Sequence, residues 1–268
     1  MAAISHDTPR EIVLQVEESQ RRARRAFRIK SGSMWVLLIG GLVFVLWFTH
    51  NIDTEWIGKW WQFILIGAPI TVLLSVISIL IATVLAILGA IGRISKNAYV
   101  SGVASLYVSL VRGTPLIAQI LFIYLGLPQL GIVLDPIPAG IVALSFNYGA
   151  YMTEIFRAGI QAVPRGQREA AEALGMPEQL VMRRIVLPQA FRIVIPAIGN
   201  DFVAMIKDSA LVSVISAQEL LWRAEKAGTQ TFHTLQAIVI AAGVYWILTI
   251  VFSYFQERLE RRMARGDR

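Results

Sequence analysis

Residues 165–188 read RGQREAAEALGMPEQLVMRRIVLP. This stretch lies between two apolar segments and is dense with charge, so it stands outside any hydrocarbon layer that those segments cross. Its internal order is specific: Glu169-Ala170-Ala171 is followed after three residues by Gly175, and later by Ile185-Val186-Leu187-Pro188. Residues 169–174 are rich in strong helix formers, Gly175 suits a left-handed helix cap, and Pro177 suits the first turn of a following helix. The expected unit is helix, tight turn, helix, with Leu187-Pro188 stopping the second helix. Ala170, Ala171 and Ala173 keep the first helix slim enough for close approach by another protein, and Arg165 and Glu169 place charges at its start. The competing reading is an amphipathic connector resting on lipid.

Outward from this stretch, the composition sets the class. Of 268 residues, 56% are apolar and 16% charged, against roughly 25% charged in soluble domains. The chain reads as an all-α integral membrane protein. A spanning helix needs about 20 apolar residues, so this length allows five or six spans and leaves no room for a soluble catalytic domain. The net charge of +7 would suggest nucleic acid in a soluble protein, but here the basic residues flank apolar runs and serve topology. No cysteine is present, and His6, His50 and His233 are isolated from one another, so no metal site is expected.

In chain order, residues 1–33 form a basic leader, with Ile12, Val16, Ala23 and Phe27 at helical spacing among Arg21, Arg22, Arg24, Arg25 and Arg28 over residues 9–29. Two readings stay open: a helix lying on an anionic leaflet, or a disordered tail that orients the first span. Residues 34–48 are apolar but short, about 22 Å as helix against a core of ~30 Å. They form an additional N-terminal span, and the region 34–61 closes with an outer loop holding Trp56, Trp60 and Trp61. Pro69 opens a long apolar run to Ile91. The segment 99–125 contains Arg112-Gly113-Thr114-Pro115, where a helix is expected to break. Arginine at that depth must face protein or water, or snorkel from a helix end. A polar-rich span follows at 139–158, then a run over 193–220 interrupted by Lys207-Asp208, then a span at 235–255 and a basic tail at 257–268.

Counting Lys and Arg along this topology puts twenty on the side of both termini and three, Lys59, Arg223 and Lys226, on the other. The asymmetry places both termini and residues 165–188 in the cytoplasm. The chain has no GxxxxGK[ST] phosphate loop, so a P-loop ATPase is excluded and energy must come from a partner or a gradient.

Glu169-Ala170-Ala171, Gly175 and Ile185-x-Leu187-Pro188 resemble the EAA signature of permease subunits of bacterial ABC importers. Val111-Arg112-Gly113-Thr114-Pro115-Leu116, Asn147-Tyr148-Gly149-Ala150-Tyr151, Glu154-Ile155-Phe156-Arg157 and Lys207-Asp208-Ser209 resemble the polar amino acid branch. The likeness covers about residues 62–256 and implies a five-helix importer core in the bacterial inner membrane, with residues 1–61 as an addition. It implies a second permease subunit, identical or homologous, a cytoplasmic ABC ATPase dimer holding ATP and Mg, and an external or periplasmic amino-acid-binding protein. Cofactors on this chain, and nucleic acid, are not expected. It assigns ATPase coupling to Arg165, Gly166, Glu169, Ala170, Ala171 and Gly175.

A zwitterionic substrate needs an acceptor for its ammonium and donors for its carboxylate where water can reach. Glu154 and Asp208 are candidate ammonium partners, Arg112 and Lys207 candidate carboxylate partners, and the motif residues Thr114 and Tyr148 complete the candidate substrate group. Alternatively, Glu154 pairs with Arg157 and Lys207 with a neighbouring carboxylate, only to satisfy buried charge. Two rivals remain. A gradient-driven secondary amino acid transporter would also use midmembrane charge but would not need the helix-Gly-helix unit. A membrane-embedded enzyme would need Glu154, Asp208 and His233 to converge.

Overall fold

The computed structural model describes residues 9–50 and 52–263; the first eight residues, Asn51, and tail residues including Arg265 and Arg268 lie outside it. The chain divides into two compact units, residues 1–57 and 58–268.

In the first unit, α1 is one helix, Pro9–His50, about 63 Å long at 1.5 Å per residue. From sequence, a leader at 9–29 and a span at 34–48 are separate elements; the structure joins them. Ser31-Gly32-Ser33 does not break the helix because the Ser33 hydroxyl donates to the Lys30 carbonyl at 2.9 Å, satisfying itself without diverting the backbone. The expected loop around Trp56, Trp60 and Trp61 is likewise corrected, since all three lie in α2, Thr54–Leu65. Asp53 starts that helix by accepting from the Trp56 amide at 2.9 Å.

The second unit is organised around α3 (Gly67–Ile94) and α6 (Pro136–Gln161). Leu74, Ala82, Ala86, Ala143, Leu144 and Met152 meet in their shared core. Small residues on α3 allow the two backbones to come close, as in membrane helix packing generally. Buried hydroxyls are satisfied within the helices: Ser75 donates to the Thr71 carbonyl at 2.8 Å and Ser145 to the Ile141 carbonyl at 2.6 Å. Interior placement explains how α6 tolerates Ser145, Asn147, Tyr148 and Thr153, which are buried against protein, while Val142 and Phe146 lie on its exposed side.

The expected break at 113–115 is present. Helix α4 (Ala98–Arg112) ends there, α5 starts at Leu116, and the pair Ala98–Arg112 and Leu116–Leu130 is bent by 108°. Pro115 has no N–H to extend the ladder. Among the described residues, Thr54–Ile94 and Thr234–Met263 are long and apolar enough to cross a membrane, and the bent pair makes a third if taken as one broken span.

After α6 come α7 (Arg165–Ala173) and the short α8 (Glu178–Val181), a π-helical turn at Met182–Val186, and α9 (Leu187–Asp208). Here the structure corrects the expectation that Leu187-Pro188 stops the second helix. The chain stays helical through Pro188, which occupies the first turn of α9. The wider turn relieves the conflict: the Leu187 amide reaches back to the Met182 carbonyl, five residues away, loosening the ladder where the proline ring and its missing donor would disrupt an α-helix. Beyond Asp208 the backbone tightens into a 3₁₀ segment, Ser209–Ile215, before α10 (Leu220–Thr231) and α11 (Thr234–Met263).

Candidate functional site

The residues singled out from sequence fall into separate groups. At the centre of the second unit, the Tyr148 hydroxyl on α6 donates to the Asp208 carboxylate at the end of α9, at 2.7 Å. Asp208 sits where α9 gives way to 3₁₀ backbone, a helix discontinuity of the type that frees polar groups for ligands. Lys207 is exposed and lies about 100° round the helix from Asp208, so the two do not pair across the same face.

Next to Tyr148, the Asn147 amide donates to the Gln119 side chain at 3.1 Å. The Gln119 amide in turn donates to the Val111 carbonyl at 2.7 Å and to the Thr114 hydroxyl at 2.8 Å. Thr114 closes the set by donating to the Leu110 carbonyl at 3.0 Å. Gln119 thus holds the α4–α5 break against α6, a role not assigned from sequence; its signal was a lone amide in an apolar helix. Arg112 stacks over the Tyr151 ring at 5.2 Å, within cation–π range.

Glu154 is not with Asp208. It lies six residues beyond Tyr148, about 9 Å further along α6, and both its oxygens are engaged. Arg93 Nε donates to one at 3.1 Å; Arg157 donates to the other through Nε at 2.9 Å and Nη2 at 2.7 Å. This is the charge-satisfying alternative, with Arg93 as a second cation that sequence reasoning missed because it comes from another helix. His233 caps the α10–α11 turn, its Nδ1 2.6 Å from the Thr231 carbonyl.

The α7 unit has the expected shape. Gly175 takes φ +77°, its amide bonds to the Glu172 carbonyl at 2.9 Å, and the Met176 amide to the Ala171 carbonyl at 3.1 Å, the two bonds of a Schellman cap. Arg165, Gly166, Glu169 and Ala170 are exposed. Ala171 is not: at 3% exposure it packs with Ile160, Val163, Val181, Val186 and Ala190. That corrects the reason given for its small size, which is packing inside this chain rather than approach by another. Arg168 ties α7 back to α6 by donating to the Ile160 carbonyl at 2.7 Å.

A second carboxylate went unnoticed in the sequence. Glu219 is fully buried and accepts from Thr71 at 3.2 Å, from the Tyr245 hydroxyl, and from the Trp222 amide at 2.8 Å. It caps α10 and joins it to α3 and α11.

Residues 82–265 match the family described as binding-protein-dependent transport system inner membrane component. The chain belongs to this family. It is therefore an ABC importer permease component of the inner membrane, not the ATPase. It is 40% identical over 206 residues to the arginine transport system permease protein ArtQ of Bacillus subtilis (strain 168), covering 76% of this chain and 94% of that one. Identity to the L-cystine transport system permease protein TcyB of the same organism is 40% over 208 residues, or 77% and 89% of the two chains. Among solved structures, an amino acid ABC transporter with histidines is 37% identical with a TM-score of 0.75, over 79% of this permease and 99% of that chain. The inward-facing MetNI methionine transporter, at 18% identity and TM-score 0.59, shares the fold.

Proposed function

We propose that this chain is the membrane-spanning subunit of an ATP-driven importer for polar amino acids. It moves substrate inward by alternating access and is coupled to a cytoplasmic ATPase dimer through residues 165–188. The observation that carries this reading is the α7 unit: a short helix with Glu169 and Ala170 exposed on one face, anchored on the other by buried Ala171 and fixed by the Gly175 cap. A helix so held moves as one body with the ends of α6 and α9. Its partners are a second permease subunit, identical or homologous, the ATPase dimer with its ATP and Mg, and an external binding protein that delivers substrate.

Within the bundle, Asp208 is the acceptor for the substrate ammonium, oriented by Tyr148, and Thr114 and the backbone at the α4–α5 break face the same path. Arg112 and Lys207 are the donors available to the carboxylate. Both termini and α7 lie in the cytoplasm, in line with the distribution of Lys and Arg, and the apolar half of α1 adds a span. The experiment is to purify the chain with its co-expressed neighbours and measure ATP hydrolysis with and without it. Hydrolysis stimulated by an amino acid and dependent on this chain is the expected result; transport driven by an ion gradient without ATP would overturn it.

A further inference from the structure

The α7 unit needs a mechanical path into the bundle, and the structure holds one charged cluster placed to provide it. Glu154 is three residues from Arg157 and sits in the last two turns of α6, the end that leads into α7. Its side chain is 18% exposed and those of Arg93 and Arg157 are 28% and 29%, so solvent screening is partial and the pairing is stronger than at an open surface. Arg93 comes from the last turn of α3 and also donates to the Ser105 hydroxyl on α4. Arg157 extends the cluster along α6 by donating to Gln161 at 2.7 Å, and Arg168 of α7 holds the Ile160 carbonyl beside it. The carboxylate therefore ties the last turn of α3 to the C-terminal part of α6, and Arg93 carries the link on to the middle of α4.

With each oxygen already engaged by a guanidinium, and two cations facing one carboxylate, the cluster carries net positive charge that disfavours a substrate ammonium. Buried or half-buried ion pairs are weak evidence for stability, because apolar replacements often match them. Their better-attested use is to fix one arrangement against another. Apolar packing would let the α6 end slide along α3; the Arg157 contact on one Glu154 oxygen and the Arg93 bridge on the other fix register and direction.

We propose that the Arg93–Glu154–Arg157 cluster is the link that carries movement of α7 into α3 and α4, with Glu154 and Arg93 as positioning residues for coupling rather than for substrate. The inference rests on the proposed docking of α7 on an ATPase. It accounts for a pairing that spans 61 residues of sequence and meets at the α7 end of the bundle.

The test is a double-mutant cycle on the whole co-purified transporter in proteoliposomes, using Glu154→Gln, Arg93→Gln and the pair together. Amino-acid-stimulated ATP hydrolysis is expected to fall about tenfold in each single variant, and no further in the double variant, because the Arg93–Glu154 bridge that joins α3 to α6 is lost in all three. The concentration of amino acid giving half-stimulation and the thermal unfolding midpoint stay at their wild-type values. Full stimulation in either single variant overturns the proposal. So does a multiplied loss in the double variant, or a loss that follows a fall in unfolding midpoint, either of which marks the cluster as holding the fold only. If the unmodified transporter shows no hydrolysis dependent on this chain, the underlying docking reading fails instead.

Discussion

Tyr148 and Asp208, 60 residues apart in sequence, meet through a 2.7 Å hydrogen bond that joins the middle of α6 to the last residue of α9. The bond orients a carboxylate at a point where regular helix ends, and in the function proposed above that carboxylate receives the substrate ammonium. A hydrogen bond to a charged group contributes about 1.5–3 kcal/mol. Tyr148→Phe is therefore expected to raise the half-stimulating amino acid concentration about tenfold. Asp208→Asn, which removes the charge, should raise it roughly a hundredfold. ATP hydrolysis titrated with substrate reads both; an unshifted titration for Asp208→Asn would remove that residue from the site.

Glu219 makes a different prediction, because it belongs to the fold. Its three donors come from α3, α10 and α11, and removing their shared acceptor leaves buried polar groups unmatched. Glu219→Ala should destabilise the chain by about 3 kcal/mol or more, and Glu219→Gln by less, since the amide oxygen still accepts. Thermal unfolding in detergent orders the three proteins; equal midpoints would show that the network contributes nothing.

Gly67 lies at the same junction. A Cβ there would sit 2.5 Å from the Leu220 Cα, an obstacle of backbone that cannot rotate aside. Gly67→Ala should cost about 1–3 kcal/mol by forcing α3 away from α10, measurable in the same unfolding assay.

At Gly175 the space is open, with no atom within 4 Å of the position a Cβ would take, so the whole cost of substitution is conformational. Because φ is +77°, Gly175→Val is expected to strain the cap by about 1–2 kcal/mol, whereas Gly175→Asn is tolerated better. Stimulated ATP hydrolysis should fall for valine and largely survive for asparagine. Equal loss in both would mean that the side chain, not the turn, matters.

Much of this architecture was legible in the sequence, and the reasons differ by residue. The break at Gly113–Pro115 and the turn at Gly175 were readable because proline and glycine act locally on the backbone. Pro188 misled for the same reason: its local signal says stop, and only the π turn built from Met182–Val186 lets the helix continue. Ala171 misled because sequence cannot say which side of a slim helix is covered by its own chain. Arg93 and Glu219 were invisible as partners, since each finds contacts on helices 60 or more residues away. The long apolar runs of α3 and α11 identify themselves as spans, whereas α6 does so poorly because polar residues such as Ser145, Asn147 and Thr153 fill its buried side.

The pair Ala170 and Ala171 tests the docking of α7 most directly. Neighbouring alanines differ here only in direction: Ala170 is exposed and Ala171 is 3% exposed in the packing of α7 on α6 and α9. The measurement is ATP-driven amino acid uptake into proteoliposomes by the complete transporter, with the amount of inserted chain measured in parallel. Ala171→Glu buries an uncompensated charge and should lower insertion itself. Coupling through α7 predicts that Ala170→Glu leaves insertion at the wild-type level and abolishes uptake. Normal uptake by Ala170→Glu would contradict it.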